Sequence, residues 1–214
     1  MNGEANVWIR LLDYLRDNWP RLLELTGQHL VMVLCGLGLA LLAGIPLGIV
    51  CAKYRKAAPV ILAIAGAVQV LPSLAMLALL FLILGLGFKT IVVGLFLYSL
   101  LPIIRNTYVG LTQVSPGVLE AGRGMGMSQL QLLAKVQLQL SLPFIVAGFR
   151  VAAVIAIGVA ALAPLIGGDG LGREIYAGLN QRNDLKILAG AIPAALLALL
   201  ADLVLGRLQA RMFK

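Results

Sequence analysis

Charge is scarce in this chain. Of its 214 residues only 12% are Asp, Glu, Lys or Arg, where a soluble domain carries about 25%. With 61% of residues hydrophobic, that scarcity excludes an ordinary soluble domain and leaves an all-α integral membrane protein with several spans. Histidine occurs once, at His29, and cysteine only at Cys35 and Cys51, in or beside the first apolar run. Such a set builds neither a metal-ligand cluster nor a disulfide framework, and small apolar packing is the role left for the thiols. No Gly-x-x-x-x-Gly-Lys-Ser/Thr phosphate loop occurs, so the chain does not hydrolyse ATP itself. Neither paired carboxylates nor a Ser-His-Asp set offers a catalytic centre, and the chain reads as a non-enzyme. Aromatic residues make up 6%, and no aromatic cage for a cation is visible among them. The length leaves no room for a second folded domain. A net charge of +8 alone would suggest nucleic acid, but in a membrane protein Lys and Arg mark the cytoplasmic side, so no nucleic-acid partner is expected.

Residues 1–25 alternate charge and bulk: Trp8, Ile9, Leu11, Leu12, Leu15, Trp19, Leu22 and Leu23 against Arg10, Asp13, Arg16, Asp17, Arg21 and Glu24. This reads as an amphipathic helix at the membrane interface, broken near Pro20, and its mixed charge is unlike a cleavable signal peptide. Residues 26–214 form the transmembrane domain. Thr26 to Ala52 has no formal charge and is long enough to span. It holds Gly36, Gly38, Gly44 and Gly48, with Ala40 between, and small residues near a spacing of four let helices approach closely. The basic turn Lys53-Tyr54-Arg55-Lys56 follows. Ala57 to Gly87 is again uncharged and longer than one straight span requires. Pro72 in its middle removes a helical hydrogen bond and predicts a kink. Gln69 and Ser73, four apart, then fall on one face across the kink. Either this stripe faces a translocation path, together with Pro72, or it makes interhelical hydrogen bonds. A third span covers Thr90 to Ile104, closed by Pro102 and Arg105. A fourth runs from Val136 to Leu165, and a fifth from Ile187 to Leu205. About five transmembrane helices result.

Between the third and fourth spans lies LEAGRGMGMSQLQLLAKVQLQLSLP, Leu119 to Pro143. A polar stretch punctuated by Gly122, Gly124 and Gly126 must leave the lipid, because unsatisfied backbone groups there cost several kcal/mol each. From Ser128, a fair N-cap, to Leu140 the spacing is that of a short helix. Glu120, Ala121, three residues after Gly122, then Gly126, nine residues, Val136, one residue, and Leu138 resemble the EAA loop of the membrane subunits of ABC importers. Gly122 stands for the second Ala, Val136 for Ile and Gln139 for Pro. Further stretches in the same order resemble the osmoprotectant branch of those permeases: Val68 to Ala75, Leu101 to Tyr108, Glu120 to Met127 and Ile166 to Gly172. The resemblance covers about residues 30 to 206.

The resemblance implies a type I ABC importer permease fold with a cytoplasmic EAA coupling helix. Glu120, Ala121, Gly122, Gly126, Val136 and Leu138 would couple to a cytoplasmic ATPase, Glu120 as an acceptor and Gly126 as the residue admitting a tight turn. It also implies glycine betaine, carnitine or choline as substrate, recognised in a separate extracytoplasmic binding protein. A second copy of the chain, or a homologous permease, would complete the path. ATP and Mg would belong to the ATPase, and this chain would carry no cofactor. The alternatives are an ABC importer for another small solute such as an amino acid, or an ATP-independent channel or secondary transporter. No internal repeat favours the latter.

With the EAA loop cytoplasmic, the positive-inside rule places the N-terminus outside and the C-terminus inside a bacterial inner membrane, supported by Lys53, Arg55 and Lys56 in the first inside turn. Two charges fall inside spans, Arg150 and Asp202. A charge at mid-membrane costs at least about 2.5 kcal/mol, so the two are expected either to pair at similar depth near the cytoplasmic face or to snorkel separately to the headgroups. The long outer connection from Ala163 to Lys186 is either a surface for the binding protein or a re-entrant hairpin packed between spans.

Overall fold

The computed structural model describes residues 2–212, with side chains from residue 7. All regular elements among them are helical. α1 (Asn2–Lys53) is a single helix of 52 residues. It continues through Pro20, against the expected break there. Pro20 and Arg16, whose carbonyl loses its helical donor to the proline, are both exposed, so that carbonyl can be met by solvent or headgroups instead of by a break. The boundary between residues 25 and 26 therefore falls inside one rod. On either side of Pro20, Leu11 and Leu22 are buried with Ala189 and pack against Tyr14, Leu15, Leu185, Leu188 and Ile192. The N-terminal turns are thus seated on the bundle by an apolar stripe.

The first seam of the bundle joins α1 to α4 (Phe88–Thr112). It is made of small residues four or eight apart. A methyl group added to Gly36 would stand 2.6 Å from Leu95 Cβ, one on Gly44 2.7 Å from Ile103 Cγ2, and one on Gly48 2.5 Å from Thr107 Cβ. Ala40, fully buried, fills the step between them. Contacts this close need bare Cα atoms, and they let two backbones meet over a long stretch. Gly38 faces open space and is not part of the seam. Both partner series rise in number together, so α1 and α4 run parallel. α4 also passes through Pro102 and Arg105, eight residues beyond the expected end of the span at Ile104.

The second span is broken. α2 (Ala58–Val70) and α3 (Ser73–Leu84) meet at an angle of 100°. Leu71, immediately before Pro72, is extended at φ −65°, ψ 132°, the region to which a following proline pushes its neighbour. α3 packs into α4 through Leu77, which is fully buried against Gly94.

α5 (Pro116–Gly124) is followed by α6 (Gln129–Leu132), a π-helical turn (Leu133–Gln137) and α7 (Leu138–Ala160). From Gln129 onward these form one continuous rod of 32 residues. The expected short helix from Ser128 to Leu140 is therefore not a separate element but the first turns of the fourth span. Nothing in Gln129 to Leu142 stops a helix once Ser128 has started it. α7 returns antiparallel to α4, with Gly148 set against the Pro102 carbonyl and Asn106, and Gly110 against Ser141 and Phe144. A 3₁₀ turn (Ala163–Ile166), α8 (Gly172–Gln181) and α9 (Asp184–Met212) complete the fold. The core gathers Leu37, Ala40, Leu77, Leu95, Ile103 and Ala156 from α1, α3, α4 and α7. Four helices among the described residues are long and apolar enough to cross a membrane, or five spans with the bent α2–α3 pair.

Candidate functional site

The corner between α5 and α6 is defined backbone atom by backbone atom. Pro116 opens α5 at a position where its missing N–H costs nothing. At the other end, Gly126 N–H donates to the Arg123 carbonyl at 2.9 Å and Met127 N–H to the Gly122 carbonyl at 3.1 Å. This pair of bonds is a Schellman cap, and its pivot, Gly126, has φ +80°, a conformation that a side chain disfavours. Ser128 then begins the next helix with a capping box: its Oγ accepts from Gln131 N–H at 3.3 Å, and its own N–H donates to Gln131 Oε1 at 2.8 Å. The corner closes on Gly122, which is buried with Leu132 Cδ1 2.6 Å from where a Cβ would stand.

Of the residues singled out in the sequence, Glu120, Ala121, Gly122 and Gly126 are brought together at this corner. Glu120 and Ala121 are exposed on α5. Val136 and Leu138 are not at the corner. They lie on the rod above it, in the π-helical turn and at the start of α7, each half-buried. What the sequence reading missed is the apolar cap on the corner. Met125 is 77% exposed and Leu130 75%, with Val118 beside them. Three large apolar side chains are thus exposed on α5 and at the corner, together with the exposed Glu120 carboxylate.

The break in the second span is tied to α4 in both directions. Gln69 Nε2 donates to the Tyr98 carbonyl at 3.0 Å, and the Tyr98 hydroxyl donates to the Leu71 carbonyl. Tyr98 lies four residues before Pro102, so its carbonyl is the one that Pro102 deprives of a helical donor. Gln69 supplies the missing donor from another helix, which is how a membrane helix tolerates an internal proline. Ser73 begins α3, on the far side of the 100° bend. Gln69 and Ser73 therefore belong to two helices and do not share a helical face, because Leu71 and Pro72 are not helical. Pro72 is exposed at the elbow and Ser73 half-buried.

Arg150 of α7 and Asp202 of α9 meet side by side. Nε reaches Oδ1 at 2.6 Å and Nη2 reaches Oδ2 at 2.6 Å, a two-pronged pairing. The guanidinium lies over Gly206, where an added Cβ would stand 2.9 Å from Nη1.

The connection from Ala163 to Lys186 holds a cluster that the sequence pattern does not assemble. Glu174 of α8 is 1% exposed. Its Oε2 accepts from the Tyr14 hydroxyl at 3.0 Å, and Arg21 Nε stands 3.0 Å from Oε1. A buried carboxylate needs such partners. They come from α1, 160 positions away in the case of Tyr14, a separation no local pattern reveals. The 3₁₀ turn is pinned as well, its Ile166 carbonyl accepting from Gly87 N–H at 2.9 Å. The Ala163 to Lys186 stretch is thus packed onto α1, α4 and α9 over much of its length.

The bundle is thus built on a close parallel helix seam, with a broken span and an exposed helical corner. The family model described as "Binding-protein-dependent transport system inner membrane component" matches residues 44–214, and the chain belongs to that family. It is a multi-pass inner-membrane permease component. The glycine betaine/carnitine/choline transport system permease protein OpuCD of Bacillus subtilis (strain 168) is 47% identical over 197 residues, 92% of this chain and 86% of that protein. The choline transport system permease protein OpuBD of the same organism is 43% identical over 205 residues, 95% of this chain and 91% of that one. The osmoprotectant import permease protein OsmW of Salmonella typhimurium is 40% identical over 203 residues, 92% and 94% of the two chains. Among solved structures, the inward-facing MetNI methionine ABC transporter superimposes with a TM-score of 0.76 at 20% identity, covering 89% of this chain and 95% of that one. The fold is that of a type I ABC importer permease.

Proposed function

We propose that this chain is the translocating subunit of an ATP-driven importer for quaternary ammonium osmoprotectants, with glycine betaine, carnitine and choline as the substrate class. The substrate class rests on relatives at 40 to 47% identity whose names carry those solutes. The observation that carries the mechanism is the α5–α6 corner. Its Schellman cap and capping box hold two helices at a fixed angle, and Met125, Leu130 and Glu120 project from it.

In this reading the corner docks in a groove of a cytoplasmic ATPase, which binds ATP and Mg and carries out hydrolysis. The corner runs directly into the rod of the fourth span. A displacement imposed by the ATPase therefore reaches α7, and through the Gly148 and Gly110 contacts reaches α4, with no flexible link between. The Gln69–Tyr98 tie passes it on to the elbow at Pro72, so Gln69, Pro72 and Ser73 move with α4 beside the path. A second copy of the chain or a homologous permease supplies the other wall, and an extracytoplasmic binding protein delivers the solute. The corner faces the cytoplasm, which puts the C-terminus inside and the N-terminus outside.

The test is uptake into proteoliposomes holding the chain with its ATPase and binding protein. Labelled glycine betaine is expected to accumulate only with ATP, and choline and carnitine to compete. Accumulation without the ATPase would overturn the reading in favour of a channel or secondary transporter.

A further inference from the structure

We propose that the groove between α1, α7 and α9 is a binding site for one phospholipid, with an acyl chain along the groove and a zwitterionic phosphoethanolamine headgroup on the Arg150–Asp202 pair. The groove has a volume of about 310 Å³. Its floor is Leu37 and Ala153, its walls Leu34, Leu200 and Val204, and Phe149 stands at one end. Every lining side chain is apolar. The floor is buried and the walls are exposed, the shape of a channel one chain wide on the outside of the bundle.

The ion pair stands alongside the groove: neither side chain lines it, but Arg150 lies between the lining residues Phe149 and Ala153 of α7, and Asp202 between Ala201 and Val204 of α9. Its position along the span fits a headgroup. Asp202 lies eighteen residues after Asp184, the first residue of α9, or about 27 Å along the helix. A hydrocarbon core of about 30 Å places it near the opposite edge. The pair is also unfinished. Arg150 is 35% and Asp202 38% exposed. A guanidinium has five N–H donors, and only Nε and one on Nη2 are engaged. Charged groups left partly bare in a span call for a polar partner. A phosphate answers the remaining Arg150 donors and an ammonium answers the remaining Asp202 lone pairs. A headgroup with net negative charge would meet Asp202 as a like charge. The groove leads from this pair toward Leu30, Ile157 and Leu197, the direction in which an acyl chain must run from its headgroup into the bilayer.

Native mass spectrometry of the detergent-purified importer complex tests this. Phosphatidylethanolamine is expected to remain on each copy of the chain after washing that strips other lipid. Two variants separate the two halves of the site. Arg150→Leu with Asp202→Leu removes the headgroup partners and keeps the groove, while Ala201→Phe fills the groove and keeps the ion pair. Each is expected to lower retained lipid by about tenfold or more. Unchanged retention in either variant would overturn the site, as would preferential retention of phosphatidylglycerol from mixed vesicles. Leu200→Cys in a background lacking Cys35 and Cys51 covers failure of those variants to assemble. No disulfide between permease copies is expected from it, and efficient cross-linking would mean that a second copy fills the groove instead.

Discussion

Gln69 and Pro102, on different helices, form one unit through the carbonyl of Tyr98. The proline takes away that carbonyl's helical donor, and the Gln69 amide replaces it at 3.0 Å. Tyr98 in turn caps Leu71 with its hydroxyl. The elbow of the second span is therefore held to α4 by two bonds in opposite directions, and it is a fixed corner and not a loose hinge.

Gln69→Leu should destabilise the folded protein by about 1–3 kcal/mol, the cost of leaving a buried acceptor unmet. Pro102→Ala in the same chain returns an N–H to the Tyr98 carbonyl and should recover most of the loss. Thermal unfolding of the three purified variants reads both effects. Failure of the second substitution to rescue the first would show that Gln69 acts through some other contact.

Gly126 should tolerate Asn far better than Val. Its φ of +80° costs an L-residue about 1–2 kcal/mol, and Asn bears that conformation where a β-branched residue does not. The Cβ itself meets nothing within 4 Å, so backbone strain alone separates the two. Gly126→Val should abolish solute uptake while the protein still reaches the membrane, and Gly126→Asn should retain it. Glu120→Lys, which reverses an exposed charge beside the same corner, should uncouple transport in the same way.

The α1–α4 seam makes a paired prediction. Gly48→Ala puts a methyl 2.5 Å from Thr107 Cβ and 3.0 Å from the Ile104 backbone oxygen, and overpacking of this kind costs about 1–3 kcal/mol. Gly38→Ala meets open space and should leave the melting temperature unchanged. Equal effects of the two would mean that glycine conformation and not helix contact governs the seam.

Arg150→Ala should lower the yield of folded protein, and the exchange Arg150→Asp with Asp202→Arg should restore part of it. Fluorescence-detected size exclusion of tagged variants measures this. Absence of any restoration would assign the two residues separate roles.

Much of this was legible in the sequence because the signals are local. A membrane protein announces itself by uncharged runs, and Pro72 marked the break because a proline pushes the residue before it, Leu71, out of the helical region. The corner was legible for the same reason: Gly126 and Ser128 are the residues that a Schellman cap and a capping box require. What was not legible depends on a partner far along the chain. Pro102 looks like a terminator until Gln69 is brought to it. Pro20 likewise passes inside a helix because its freed carbonyl lies on an exposed face. Glu174 shows no partner in its own loop, since Tyr14 and Arg21 arrive from α1. The helix after Ser128 has no local signal for its length, and only the fold shows that it continues into the fourth span.

The central claim is that the α5–α6 corner is where the ATPase holds this chain. A photo-activated cross-linking amino acid at Met125, 77% exposed at the tip of that corner, tests it in intact membranes. The account predicts that it captures the ATPase subunit, and that the same group at Leu179 on α8, 61% exposed at the other end of the bundle, does not. Capture of the ATPase from Leu179 with none from Met125 would contradict both the docking site and the orientation of the chain.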